Sequence, residues 1–296
     1  MKAIIQPIER LPAPLLLVTA IISIQLGAVL AIGLFSLFGP LGVLFLRMTI
    51  GGAALCCLYR GHLVRGWRQA PRGIVLLGLL MAAQSGLFYE SLARIPLGIA
   101  VAIEFLGPLG VALAASRWWL DVLCVALAAG GILLLTPDIG SRLDPIGVLY
   151  AFGAGLGWAV YILLSKRIGR AVEGGVGLAL AMIVAALLLL PVSGLGALAQ
   201  LTVSGGAVPA VLGVALFSAA IPLLLEFLAL KSMPPKTFGI LIAAEPMVAT
   251  VIGFALLGDR IGWRGWLAIL LITFASIAAA WLAREANRKD GPAQPE

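Results

Sequence analysis

Arg47, Glu90, Glu104, Glu226 and Glu245 are ionisable side chains that fall inside long apolar runs. A charge at the centre of a bilayer costs about 2.5–3.5 kcal/mol on insertion scales. Such groups face a protein interior and find a partner there. Glu104 and Glu245 lie near mid-depth in two runs that each contain a proline, Pro108 and Pro246. Pro108 has no N–H to give the carbonyl of Glu104, four residues back. Pro246 does the same to Ile242 and pushes Glu245 out of helical geometry. Both runs are expected to kink or break beside a glutamate, which is tolerated at membrane depth where the backbone is buried or faces a watery cavity. The alternative is an ordinary proline kink with no ligand.

Arg47 sits in the outer third of its run and stays protonated, so a carboxylate or backbone carbonyls must satisfy it. Two readings are open. These groups line a path for a polar solute and one glutamate carries a proton, or Arg47 pairs with a glutamate to lock the fold while the others snorkel. Glu90 and Glu226 sit about one turn from the ends of their runs, where snorkelling suits them. Trp158 and Tyr161, three apart, share a helix face with Ala154 and Ser165. Gln25 is the mid-run polar residue of the first run. Each lines a cavity or packs between helices. The segment Gly153-Ala154-Gly155-Leu156-Gly157 holds one GxxxG spacing, of the kind that lets membrane helices approach closely.

Other chemistry is excluded by what is missing. No lysine lies inside an apolar run, the one histidine (His62) is in a basic loop, and neither HExxH nor a Gly-rich phosphate loop occurs. Cys56, Cys57 and Cys124 fall in apolar runs without a CxxC pair. The chain is therefore read as no enzyme, with no metal and no cofactor. Any coupling comes from an ion or solute gradient. The net charge of +7 is not read as a nucleic-acid footprint, because the charges cluster at the ends of apolar segments.

The elements that must position these residues are membrane helices. The chain is 62% hydrophobic and 11% charged, with a mean hydropathy of +1.12, against about 25% charged in soluble domains. Apolar runs occupy 13–36, 40–59, 73–93, 96–115, 119–136, 146–165, 175–192, 209–230, 236–256 and 263–282, each long enough to cross a ~30 Å hydrocarbon core. With both termini in the cytoplasm, fifteen of the 20 lysines and arginines fall on the inner side and four on the outer, which the positive-inside rule requires. Trp67, Trp118, Trp119, Trp263, Trp266 and Trp281 lie in loops or at run ends, as an interfacial belt does.

The stretch from Arg94-Ile95-Pro96 to Gly107-Pro108 matches that from Ser232-Met233-Pro234 to Glu245-Pro246 at a constant offset of 138 residues. The offset lays five spans on five. An odd number per half makes the halves enter from opposite sides, the inverted repeat of secondary transporters with a site near the midplane. The expected fold is an all-α integral membrane protein of ten transmembrane helices in two inverted five-helix repeats, 12–136 and 145–283, with a cytoplasmic tail at 284–296.

The run Ile95-Pro-Leu-Gly-Ile-Ala-Val-Ala-Ile-Glu104-Phe-Leu-Gly-Pro108-Leu-Gly-Val-Ala-Leu113 resembles the threonine/homoserine exporter branch of the drug/metabolite transporter superfamily, whose members carry two EamA domains. Ser23-Ile-Gln25-Leu-Gly-Ala28, Gly157-Trp158-Ala-Val-Tyr161-Ile-Leu, Leu225-Glu226-Phe-Leu-Ala-Leu230 and Thr237-Phe-Gly239 through Glu245-Pro246 match too, and Arg47 looks like the arginine usual at that point of an EamA repeat. The resemblance covers roughly residues 12–285. It implies a central cavity lined by spans one, three, four, six, eight and nine, placing Gln25, Tyr89, Glu104, Trp158, Tyr161, Glu226 and Glu245 near it. Glu90 departs from the pattern, which has an apolar residue there. The resemblance implies export of small amino acids such as threonine and homoserine across the bacterial inner membrane.

The reading is an alternating-access secondary transporter with the solute between the fourth and ninth spans. Its ammonium goes to carboxylates and helix ends, its carboxylate to backbone N–H groups or Arg47, and Glu245 or Glu104 exchanges a proton. The alternatives are the same fold exporting another metabolite or a drug, and a facilitative channel. The partners are an amino-acid solute, protons and the lipid bilayer.

Overall fold

The computed structural model describes residues 12–114, 119–135, 143–172, 175–222, 225, 229 and 241–289. Residues 231–240, with Pro234, and Glu226 lie outside them. Among the described residues every regular element is helical.

Helix α1 (Ala13–Leu58) is interrupted at Gly39, with φ 68 and ψ 162. A positive φ suits glycine alone, and Pro40 after it restricts Gly39 further. Gly27 on the first arm and Gly51 on the second both abut Ser218–Ala219. In a straight helix they would stand roughly 36 Å apart, so the arms fold back on each other at Gly39. The short α2 (Leu63–Gln69) leads to α3 (Pro71–Leu92). Next come α4 (Leu97–Glu104) and α5 (Leu106–Ala114), separated only by Phe105, then α6 (Trp119–Leu135).

The second half opens with α7 (Pro145–Ala171), capped by the Asp144 carboxylate, which accepts from the Ile146 N–H at 2.9 Å. Helices α8 (Val176–Leu189) and α9 (Leu195–Val203) are joined through a π-helical turn, Leu190–Gly194, where Pro191 supplies no N–H. Helix α10 (Val208–Ala215) runs into a second π turn, Leu216–Ala220. Helix α11 (Glu245–Ile252) runs into a third, Gly253–Leu257, and α12 (Trp263–Lys289) ends the fold. Sequence hydropathy ends the tenth run at 282. The helix continues to Lys289 because a change to polar residues ends burial in lipid, not helical hydrogen bonding.

Helices Ala13–Leu58, Pro71–Leu92, Pro145–Ser165 and Val176–Val203 are long and apolar enough to cross a membrane, and shorter apolar helices cover Leu97–Val111, Gly205–Ala219, Glu245–Leu257 and Trp263–Ala278. Leu149, Leu156 and Leu163, seven apart on α7, are all more than half exposed. An exterior of that kind fits lipid rather than water, and the chain is a multi-pass helical membrane protein.

Lipid tails give no hydrophobic drive for pairing, so packing rests on small residues and close approach. Helix α7 lies against α3, α4 and α5, and α11 crosses α4. A Cβ on Gly107 would stand 1.9 Å from the Gly155 carbonyl oxygen, and one on Gly98 would stand 2.2 Å from Thr250 Oγ1. The GxxxG segment of α7 is the contact surface for the site helices. Gly153 faces Leu87, Gly155 faces the backbone of Glu104, and Gly157 faces the stem of Gln84.

Candidate functional site

Glu104 is the last residue of α4 and is 7% exposed. Helical bonding stops there for one residue, because Pro108 cannot bond back to its carbonyl. The Gln84 amide of α3 donates to the Glu104 carboxylate, Nε2 to Oε1, at 3.1 Å. Glu245 opens α11 after a turn at Ala243–Ala244, with Pro246 next. It is also 7% exposed and accepts from Gln25 Nε2 of α1 at 3.0 Å. Each buried glutamate thus rests on a neutral glutamine. The sequence reading singled out Gln25 but not Gln84.

Arg47 of the second arm of α1 holds the Ser218 carbonyl through Nη2 at 3.0 Å and the Tyr89 hydroxyl through Nη1 at 3.5 Å. Its Nε is buried with no hydrogen-bond partner among the described residues. Of the two readings for Arg47, the backbone carbonyl is the one found. Among the described residues no carboxylate pairs with it. The Ser218 carbonyl is available for a local reason: Pro222, four residues on, has no N–H to return to it. A proline four residues after a mid-run position was therefore the signal for this contact, the same signal read at Pro108 and Pro246. Tyr89 is buried, with the Arg47 guanidinium 5.7 Å from its ring centroid.

A cavity of about 200 Å³ opens between these elements. Arg47, Gln84, Ser85, Trp158, Tyr161 and Ser218 give it its polar and aromatic lining, with Met48, Met81 and Met182 among its apolar walls. Trp158 is steadied by Phe105, at the interruption between α4 and α5, in an edge-to-face contact with centroids 5.0 Å apart. Arg47, Trp158 and Tyr161 come together as one surface. Glu104 stands behind Gln84, outside the lining itself. Glu245 and Gln25 are also outside it, although Ile24 beside Gln25 lines it. None of the residues lining this cavity comes from α4 or α11. The described residues of those two helices pack on each other through Gly98 and Thr250, which leaves no room between them there.

Glu90 takes no part. At the C-terminal end of α3 it forms an ion pair with Arg94, whose Nε also lies 3.7 Å from Asp144. Beside that pair, Asp259 accepts the Leu97 N–H at 3.0 Å, capping α4. Burial raises the Asp259 pKa above its ordinary value, with the bond from Leu97 pulling the other way. Among the described residues no cluster suited to a metal ion occurs.

Comparison with known proteins agrees with this architecture. The model of the EamA-like transporter family matches residues 145–281. The threonine/homoserine exporter RhtA of Escherichia coli strain K12 is 38% identical over 281 residues, 94% of each chain. That of Salmonella typhimurium strain LT2 is 38% identical over 273 residues, 91% of this chain and 92% of its own. The uncharacterized transporter YwfM of Bacillus subtilis strain 168 is 29% identical over 250 residues, 79% of this chain and 81% of its own. A crystal structure of a protein 21% identical in sequence superposes with a TM-score of 0.55 over 95% of this chain and 99% of the other, a likeness of fold alone. At that identity over nearly its whole length, the chain belongs to the EamA-like transporter family, in the branch of the threonine/homoserine exporters.

Proposed function

We propose that this protein exports small hydroxylated amino acids, threonine and homoserine in the first place, across the bacterial inner membrane. It works by alternating access and takes a proton in exchange. The observation that carries the proposal is the lining of the cavity. A half-buried guanidinium with no carboxylate partner among the described residues faces the same space as the Gln84 amide that rests on Glu104. Arg47 receives the solute carboxylate through the Nη N–H groups that Ser218 and Tyr89 leave unused. The Gln84–Glu104 pair receives the ammonium. Trp158 and Tyr161 close the walls. The relatives RhtA, named for threonine and homoserine export, support that choice of cargo. A volume of about 200 Å³ suits such a solute better than a drug, whose pockets run to roughly 300–1,000 Å³.

The coupling proposal rests on two buried acids, Glu104 and Glu245, each bonded by a glutamine amide. Among the described residues Glu104 has no ion pair, so its carboxyl gains or loses a proton without breaking one. Of the two, Glu104 is the one connected to the cavity, through Gln84. The architecture proposed is ten spans as two inverted five-helix repeats, 12–136 and 145–283. Both termini and the tail 284–296 lie in the cytoplasm. The offset of 138 residues and the family match over 145–281 support this division. The molecule acts as a transporter and not as an enzyme.

The test is efflux of labelled threonine and homoserine from proteoliposomes, with and without an imposed pH gradient. Saturable efflux accelerated by acid on the receiving side is the expected result. Absence of efflux of both solutes from folded protein overturns the cargo. Unsaturable flux indifferent to the gradient marks a channel.

A further inference from the structure

Among the described residues, Gln84 both lines the cavity and bonds a buried carboxylate, that of Glu104. A primary amide has two unlike ends. Its NH2 only donates and its oxygen only accepts. In the structure the NH2 end is spent on Glu104 Oε1. No group among the described residues donates to the amide oxygen, which is left on the other edge of the same planar group, in a side chain that faces the cavity. A carboxylate only accepts, while a carboxylic acid also donates. An ionised Glu104 therefore holds the NH2 edge of the amide toward itself, and a protonated one also lets the oxygen edge face it, through its O–H.

We propose that Gln84 is the solute-contacting residue through which Glu104 couples proton uptake to solute release. With Glu104 ionised, the Gln84 NH2 donates to it and the amide oxygen accepts from the solute's ammonium. With Glu104 protonated, its O–H donates to the amide oxygen. The amide turns over, and the cavity then presents an NH2 that cannot bond an ammonium. One cation is exchanged for another. A proton arrives on the Glu104 carboxylate from water, and the ammonium leaves with the solute. No bond other than hydrogen bonds is made or broken. The inference deepens the exporter reading and rests on it for the identity of the cargo.

The packing leaves the amide free to report Glu104 alone. Gly157 of α7 lies against the Gln84 stem, where a Cβ would stand 2.7 Å from Gln84 Cβ, so the stem is fixed and the amide is what turns. The charged side chain acting on Glu104 is that of Arg47, from the second arm of α1. Helix α7 presents Tyr161 to the cavity. Helix α11 brings Glu245, engaged with Gln25. Helix α3 adds Tyr89, bonded to Arg47. Helix α12 has no charged residue between Arg264 and Arg284.

Two readouts on the full chain in lipid nanodiscs test this. The first needs no solute. On acidification, infrared difference spectra should show the carboxyl stretch of Glu104 appearing in the same step as a shift in a glutamine side-chain amide band, both missing from Glu104→Gln. A Glu104 carboxyl that titrates with no amide change overturns the proposal, whatever the cargo, and this reading in the wild-type protein does not depend on any Gln84 variant folding. The second is threonine binding against pH. Affinity should fall about tenfold or more as Glu104 is protonated, the worth of one charge-assisted hydrogen bond. Glu104→Gln should bind at a level independent of pH. The near-isosteric Gln84→Met should bind weakly at every pH. A Gln84→Met protein that keeps the wild-type pH dependence overturns the proposal. Coupled infrared bands without binding of threonine or homoserine would support the amide switch and overturn only the cargo.

Discussion

The two proline-interrupted helices carry the same device with different chemistry. Pro108 and Pro246 are equivalent across the offset of 138 residues, but their glutamates are not. Glu104 corresponds to Ile242, and Gly107 to Glu245. Glu245 sits in the first turn of α11, where the exposed N–H groups and the helix dipole favour a carboxylate. Its partner Gln25 is 1% exposed and closed off from the cavity. Glu104 ends α4, and its partner Gln84 opens into the cavity. A shared backbone break therefore does not make a shared role. On the proposal above, Glu104 exchanges the proton because its amide partner meets the solute, and Glu245 anchors its helix.

The contrast breaks most visibly at the acids themselves. Replacing Glu104 with Gln is expected to abolish acceleration of efflux by a pH gradient while solute exchange at equal pH persists, measured side by side in proteoliposomes. If acceleration survives in Glu104→Gln and is lost in Glu245→Gln, the assignment of roles is reversed. The next effect is on folding. Gly107→Ala puts a methyl 1.9 Å from the Gly155 carbonyl oxygen. It should destabilise the helix pair that holds Glu104 by about 3 kcal/mol or more, read as loss of folded protein by thermal unfolding in detergent.

Glu245→Gln keeps an acceptor for Gln25 and gives up the charge at the helix N-terminus. It is expected to cost about 0.3–1 kcal/mol and to leave acceleration by the gradient intact. The smallest effect lies outside the membrane, at Asp259. Its folded pKa is raised by burial above the ordinary 3.8, against the pull of the Leu97 N–H. The stability it contributes is therefore full below 3.8 and is lost as pH rises through the raised folded value. Asp259→Asn keeps an oxygen for Leu97 and should flatten that slope in thermal melts. A slope unchanged in Asp259→Asn would show that another group causes it.

Much of this was legible in the residue order, for physical reasons. Lipid imposes span length and composition, so hydropathy finds the helices. Gly39-Pro40 and Arg94-Ile95-Pro96 are strong local breakers, so turns fall there. Proline's missing N–H acts on its own helix, so the breaks near Glu104 and Glu245 need no tertiary information. Gln84 was not legible. It is one amide beside Ser85 in a long apolar run, and its meaning comes from Glu104, twenty residues on and on another helix. The Arg47 contact was half legible. Its need for a carbonyl followed from burial, but the choice of Ser218 depends on Pro222 and on the fold-back at Gly39, which together bring residues 47 and 218 within reach. The position of the cavity, with no lining residue from α4 or α11, is a property of packing at Gly98–Thr250 and Gly107–Gly155, which no single helix encodes.

The central claim is that Arg47 and Gln84 hold the two ends of one zwitterion. Its most direct test is a binding cycle in nanodiscs that pairs ligand analogues with side-chain replacements. Threonine, its methyl ester and N-acetylthreonine would each be titrated into the wild-type, Arg47→Met and Gln84→Met proteins. The predicted result is that the ester, without its carboxylate, binds weakly to wild type and loses little more in Arg47→Met. The acetylated compound, without its ammonium, should be equally indifferent to Gln84→Met. An ester that binds wild type as tightly as threonine, or an Arg47→Met protein that weakens threonine and ester by the same factor, would contradict the account.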